Sequence, residues 1–142
     1  MSASRLIFDD KERVGSWVAE RVGFFSPFGG YYAMGAELNG ELTSGVVIQS
    51  WTNTTAIAHL AVSKPTKLMA ELFDHTVVYV FGQLGLSRLT VYVEADNEKS
   101  LKLTSHLGFV DEAVMEGAGD NGVDLHVRVL WPQNYCRGKK HG

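Results

Sequence analysis

The sequence predicts an α/β fold, a sandwich of helices on one mixed β-sheet, and three observations carry that expectation. Asn39-Gly40 stands between two strand-like runs, residues 31–38 and 42–51. Asn-Gly is the strongest short hairpin signal, because both turn positions need a positive φ. The run Thr55-Ala56-Ile57-Ala58-His59-Leu60-Ala61-Val62 is mostly apolar, as a central strand covered on both faces should be. Two strand–helix units then follow one another, residues 55–84 and 88–107, the pattern of a sheet that contains parallel strands.

Taken in order, Leu6-Ile7-Phe8 reads as a short first strand. Asp9 or Asp10 then caps a helix whose Val14, Trp17, Val18 and Val22 follow helical spacing. Phe24-Phe25-Ser26-Pro27-Phe28-Gly29-Gly30 is an aromatic loop broken by proline and glycine. After the Asn39-Gly40 hairpin, a turn at Thr52-Asn53-Thr54 leads into the apolar strand. Pro65 sits where a helix begins, a position it tolerates. Residues 66–84 place Met69, Leu72, Phe73, Thr76, Val77, Val80, Phe81 and Leu84 on one helical face, and Gly85 ends the helix.

Arg88-Leu89-Thr90-Val91-Tyr92-Val93-Glu94 alternates as a strand. Asp96 or Asn97 caps the next helix, Leu101, Leu103 and Leu107 give it a buried side, and Gly108 stops it. Residues 109–116 and 123–131 form a closing hairpin around Gly117-Ala118-Gly119-Asp120-Asn121-Gly122. The predicted order is β-α-β-β-β-α-β-α-β-β, one domain over residues 1–136 followed by a short basic tail, 137–142.

Composition narrows the function classes. With 142 residues, 45 % of them hydrophobic and 20 % charged, the chain can bury a core, which argues against disorder. A net charge of −3 argues against a nucleic-acid partner despite the basic tail Arg137-Gly138-Lys139-Lys140-His141. The single cysteine, Cys136, excludes an internal disulfide and a cysteine-built metal site. His75 and His106 show no ligand spacing with any carboxylate, so no metal is expected. Only three apolar residues separate Arg5 from Asp9, and no apolar run approaches the roughly 20 residues that span a bilayer. A cytoplasmic protein without membrane contact is the expectation.

The second half carries a resemblance. Tyr79-Val80-Phe81-Gly82-Gln83-Leu84-Gly85-Leu86-Ser87-Arg88-Leu89 resembles the Y-A-F…L-G-L-x-R-L run of the ribosomal-protein branch of the GNAT N-acetyltransferases. Asn97-Glu98-Lys99-Ser100, then Leu103 and Leu107-Gly108-Phe109, resembles that superfamily's N-x-x-S…L…L-G-F, and the element order is also similar. The resemblance implies a mostly antiparallel sheet with helices on both faces and two central parallel strands, residues 55–62 and 88–94, that splay apart. It implies acetyl-CoA as co-substrate, an amine acceptor (a protein N-terminus, a lysine or a small-molecule amine) and direct acetyl transfer. It further implies main-chain contacts to the cofactor from Leu60, Ala61 and Val62, with Asn97, Ser100 and Thr104 bordering it. A homodimer formed through the apolar last strands is a further expectation.

Two departures bear on the chemistry. The family's diphosphate loop, R/Q-x-x-G-x-G/A, falls at Ser63-Lys64-Pro65-Thr66-Lys67-Leu68, which has no glycine. Lys64, Thr66 and Lys67 at a helix N-terminus are left as the anion-binding candidates. Thr104 stands seven residues after Asn97, where many relatives carry a tyrosine acid, and Thr55 and Ala56 stand where others carry a base. The remaining acid–base candidates are Tyr92, Glu94 and His59. Tyr92 and Glu94 share a face by strand alternation, and His59 titrates near neutrality. His126 and Asp124 border the acceptor or lie exposed on the hairpin. The alternative function is a GNAT-like fold with a degenerate cofactor site that serves as a binding or regulatory module.

Overall fold

The computed structural model describes residues 3–22, 30–50 and 52–135. Cys136, the basic tail, Trp51 and most of the aromatic loop, 23–29, lie outside the described residues. The chain builds one seven-stranded sheet in the order β1-β2-β3-β4-β5-β7-β6. Its strands are β1 (Ser4–Ile7), β2 (Tyr32–Leu38), β3 (Glu41–Ser50), β4 (Thr55–Val62), β5 (Arg88–Glu94), β6 (Val110–Met115) and β7 (Leu125–Leu130). The helices are α1 (Lys11–Val22), α2 (Lys67–Val77) and α3 (Glu98–Leu107). This is the predicted order. All strand pairs are antiparallel except β4–β5.

Helices cover both faces. On one side Val14 and Val18 of α1 pack with Ala33, Val47 and Ala61. On the other, Leu72 and Phe73 of α2 and Leu107 of α3 pack with Ala56, Ala58, Leu89, Val91 and Val93. Strand alternation therefore sends odd-numbered side chains of β4 and even-numbered side chains of β5 to the α1 side. The hydroxyl contact between Thr55 and Thr90, 3.3 Å, agrees with that assignment.

Local signals explain the element ends. Asn39 and Gly40 both take positive φ, 54° and 85°, as the two-residue hairpin requires. The Asn97 side chain accepts the Ser100 N–H at 3.1 Å and so caps α3, and Gly108 closes it at φ 109°. The long helix differs from expectation past Val77, where the chain continues as a π-helix, Val78–Gln83, with Leu84 N–H donating to the Tyr79 carbonyl at 2.8 Å. The buried face is kept through this change, with Val80 fully buried.

α1 lies close on the sheet because Gly35 and Gly45 pair directly beneath it. A Cβ on Gly45 would stand 2.8 Å from Val18 Cγ2, and one on Gly35 3.1 Å from Val14 Cγ2. Both valines are fully buried and stiff at χ1, so neither yields easily. Gly45→Ala is expected to destabilise the fold by about 1–3 kcal/mol through overpacking. An unchanged urea midpoint would contradict that tight approach.

Candidate functional site

The sheet opens at its centre. β4 and β5 pair only through Thr55↔Arg88, Ala56↔Leu89 and Ile57↔Thr90, although both strands continue. β4 stays paired with β3 as far as Val62, and β5 stays paired with β7 as far as Glu94. Beyond Ile57 and Thr90 the two central strands diverge, and a cleft of about 1200 Å³ occupies the wedge.

The phase of the ladders shows which main-chain groups face it. Ser63 N–H donates to the Thr43 carbonyl at 2.8 Å, which turns odd-numbered β4 groups toward β3. The carbonyl of Ala58 and the N–H and C=O groups of Leu60 and Val62 therefore turn toward the wedge, the Ala58 N–H closing the last β4–β5 rung, while those of Ala61 face Gly45. On β5, Ala95 N–H donates to the Asp124 carbonyl at 2.9 Å, so the main chain of Tyr92 faces the wedge.

His59 and Tyr92 flank this opening on the α1 side. Continuing the register past Ile57↔Thr90 sets His59 opposite Tyr92. His59 Nε2 lies 2.9 Å from Gln49 Oε1, within hydrogen-bond distance. Burial disfavours the imidazolium and lowers the His59 pKa below its ordinary 6.5. Tyr92 is 42 % exposed, lines the cleft, and its hydroxyl makes no hydrogen bond among the described residues. Glu94 shares that face, but its Oε2 accepts the Asp120 N–H at 2.6 Å.

The opposite wall comes from α3, where Asn97, Ser100 and Thr104 line the cleft. Thr104 is 2 % exposed and its hydroxyl is committed. It donates to the Ser100 carbonyl at 2.7 Å and accepts from Arg128 Nη1 at 2.8 Å. Arg128 is itself tied to Asp111, whose carboxyl it holds below the usual range with help from His126.

The loop before α2 is poor in main-chain donors. Ser63 and Lys64 N–H groups both go to the Thr43 carbonyl, at 2.8 and 3.2 Å, and Pro65 has none. Thr66, Lys67 and Leu68 keep the donors of the helix N-terminus, and the Thr66 side chain does not cap it. Ser63 and Pro65 line the cleft, whereas Lys64, Thr66 and Lys67 do not.

Sequence reasoning missed two cations on the cleft, Arg21 from the last turn of α1 and Lys99 from the first turn of α3. Lys99 lies inside the Asn97–Ser100 stretch that carried the resemblance, so that stretch was the available signal. Arg21 had none, since only the fold brings the end of α1 over β4; its guanidinium stacks on Trp17 at 3.9 Å. Asp124 and His126 do not line the cleft: Asp124 Oδ1 accepts the Gly117 N–H, and His126 meets Asp111 on the α3 side. No group of His, Cys, Asp and Glu that could hold a metal occurs among the described residues. No helix among them is long and apolar enough to cross a membrane.

No family model matches the sequence, and no curated protein does. Solved structures do. The yncA protein of Salmonella typhimurium, solved with its cofactor acetyl-CoA, is 17 % identical with TM-score 0.71 over 99 % of this chain and 96 % of that one. A GNAT-family acetyltransferase from Streptococcus pneumoniae is 16 % identical with TM-score 0.72 over 91 % of this chain and 99 % of that one. The spermidine/spermine N-acetyltransferase SpeG from Vibrio cholerae is 14 % identical with TM-score 0.69 over 92 % and 93 %. At such identities the likeness is one of architecture: the chain has the GNAT acetyltransferase fold.

Proposed function

We propose that this protein is an acetyl-CoA-dependent N-acetyltransferase that passes the acetyl group directly to a primary amine. The observation that carries the reading is the wedge between β4 and β5, with the Ala58 carbonyl and the main-chain groups of Leu60 and Val62 turned into it. An extended amide-bearing arm such as pantetheine supplies the partners those groups lack. In this reading Lys64, Thr66 and Lys67 meet the phosphates at the α2 N-terminus, with Lys99 adding charge from α3. Asn97, Ser100 and Thr104 border the arm. The acceptor amine is that of a protein N-terminus, a lysine or a small molecule; the sequence resemblance to the ribosomal-protein branch favours the first, whereas the similar Vibrio cholerae enzyme is named for spermidine and spermine.

The chain's own groups then divide the proton work. A neutral amine attacks the thioester carbonyl, and the His59 imidazole accepts the amine proton, directly or through one water. The Tyr92 phenol donates to the departing sulfur, a task for which Thr104 is unsuited because its proton is held by the Ser100 carbonyl. Holding both reactants in one cleft supplies the proximity part of the rate.

A second reading, a binding or regulatory module, has one observation behind it: Ser63, Lys64 and Pro65 offer no free main-chain donor to a diphosphate. Calorimetry with acetyl-CoA separates the two. The enzyme reading expects a Kd below about 100 μM, roughly −5.5 kcal/mol, weakened severalfold by Lys67→Ala. No binding at millimolar acetyl-CoA would refute it and favour the module. The pH dependence of turnover tests the catalyst. Because burial lowers the His59 pKa, the imidazole is neutral at pH 7, and kcat should fall in acid only below pH 6.5. His59→Gln should remove that limb and lower kcat by about 10²-fold, and Tyr92→Phe should lower kcat comparably. Unchanged kcat in both variants would exclude them as acid and base.

A further inference from the structure

We infer that Glu94 is a positioning residue: its carboxylate fixes the β6–β7 loop as the acceptor-side wall of the cleft rather than taking a proton from the substrate. The inference rests on the acetyltransferase reading for its effect on turnover, but not for its structural part. Glu94 is the last residue of β5 and shares a sheet face with Tyr92, which makes it a candidate base by position alone. Its Oε2 is engaged, however, 2.6 Å from the Asp120 N–H. That donor is the first residue of the 3₁₀ turn Asp120–Gly122, so the carboxylate caps the turn from outside.

The loop depends on this anchor because little else in the fold holds it. Its remaining bonds are mostly local: Gly119 N–H to the Val123 carbonyl at 2.7 Å, Gly122 N–H to the Gly119 carbonyl at 3.1 Å, and Gly117 N–H to Asp124 Oδ1 at 3.0 Å. Three positive-φ residues, Gly117, Asn121 and Gly122, shape it. Two hydrogen bonds tie it to the end of β5: Asp120 N–H to Glu94, and Ala95 N–H to the Asp124 carbonyl. The fit at the first is close, since a Cβ on Gly119 would stand 3.2 Å from Glu94 Cγ and 2.9 Å from Val123 Cγ2.

The consequence falls on the acceptor. Ala118, Gly119 and Asp120 line the cleft beside Tyr92 and Glu94. The Asp120 carboxylate has no hydrogen bond or ion pair among the described residues, so it remains available to a cationic acceptor. Glu94 thus sets where Asp120 and its neighbours stand, and through them the affinity for the amine.

Glutamine at position 94 keeps an acceptor oxygen but cannot act as a base, so Glu94→Gln and Glu94→Ala together decide the role. Amide hydrogen exchange reads the anchor without any substrate. The Asp120 amide should stay protected in Glu94→Gln and exchange roughly tenfold faster or more in Glu94→Ala. Turnover is measured with acetyl-CoA and the best acceptor from a panel of primary amines. Glu94→Gln should keep kcat within about threefold, while Glu94→Ala should raise the acceptor KM about tenfold with kcat and the acetyl-CoA Kd little changed. A Glu94→Gln enzyme that protects Asp120 yet loses kcat about a hundredfold would overturn the inference in favour of a base. Unchanged Asp120 exchange in Glu94→Ala would also overturn it. Absence of acetyl-CoA binding in the wild type would refute the enzyme reading alone, and the exchange comparison would still decide the anchor.

Discussion

Every feature of the site depends on β4 and β5 leaving each other after three residue pairs while each remains held on its outer side. β3 keeps β4 straight as far as Val62, and β7 keeps β5 straight as far as Glu94, so the sheet is not weakened where it opens. Main-chain groups in the opening have lost their ladder partners. An amide shielded from water without a partner costs about 1–3 kcal/mol, so such groups must meet either solvent or a ligand. A wedge of this kind is stable when wet and receptive to a molecule that carries its own amides.

The two faces of the sheet then take different jobs. On the α2–α3 side, Ala56, Ala58, Val91 and Leu107 make an apolar floor, and the Arg128–Asp111 pair locks α3 to the sheet. On that side the Thr104 hydroxyl at the wedge is fully occupied. On the α1 side, the Gly35–Gly45 floor lets the helix approach so closely that Arg21 reaches the cleft. His59, Tyr92 and Glu94 project there, and each is in a different state: one half-buried with its pKa lowered, one exposed with a hydroxyl that bonds to nothing among the described residues, one bound to a loop.

Much of the fold was legible in the sequence because its cues are local. β4 and β5 begin and end where the apolar run and the alternation say, and Asn39-Gly40, Asn97 and Gly108 act as turn, cap and stop through their own backbone preferences. The π-helix past Val77 was not legible, since the apolar face it buries is the one an α-helix would bury. Nor was the splay: pairing is a main-chain event with no side-chain signature, and only the resemblance to a known family suggested it. For the site, alternation correctly placed Tyr92 and Glu94 on one face. The partners that distinguish them, Asp120 N–H for Glu94 and Arg128 for Thr104, come from 24 or more residues away and required the folded chain.

The wedge itself is tested most directly by residue-resolved amide exchange along β4, with and without acetyl-CoA. Without it, the amides of Leu60 and Val62 should exchange at least about tenfold faster than those of His59 and Ala61, which are bonded to β3. Saturating acetyl-CoA should slow Leu60 and Val62 selectively and remove the alternation. Uniform protection along β4 without the cofactor, or no change at Leu60 and Val62 on adding it, would contradict the account.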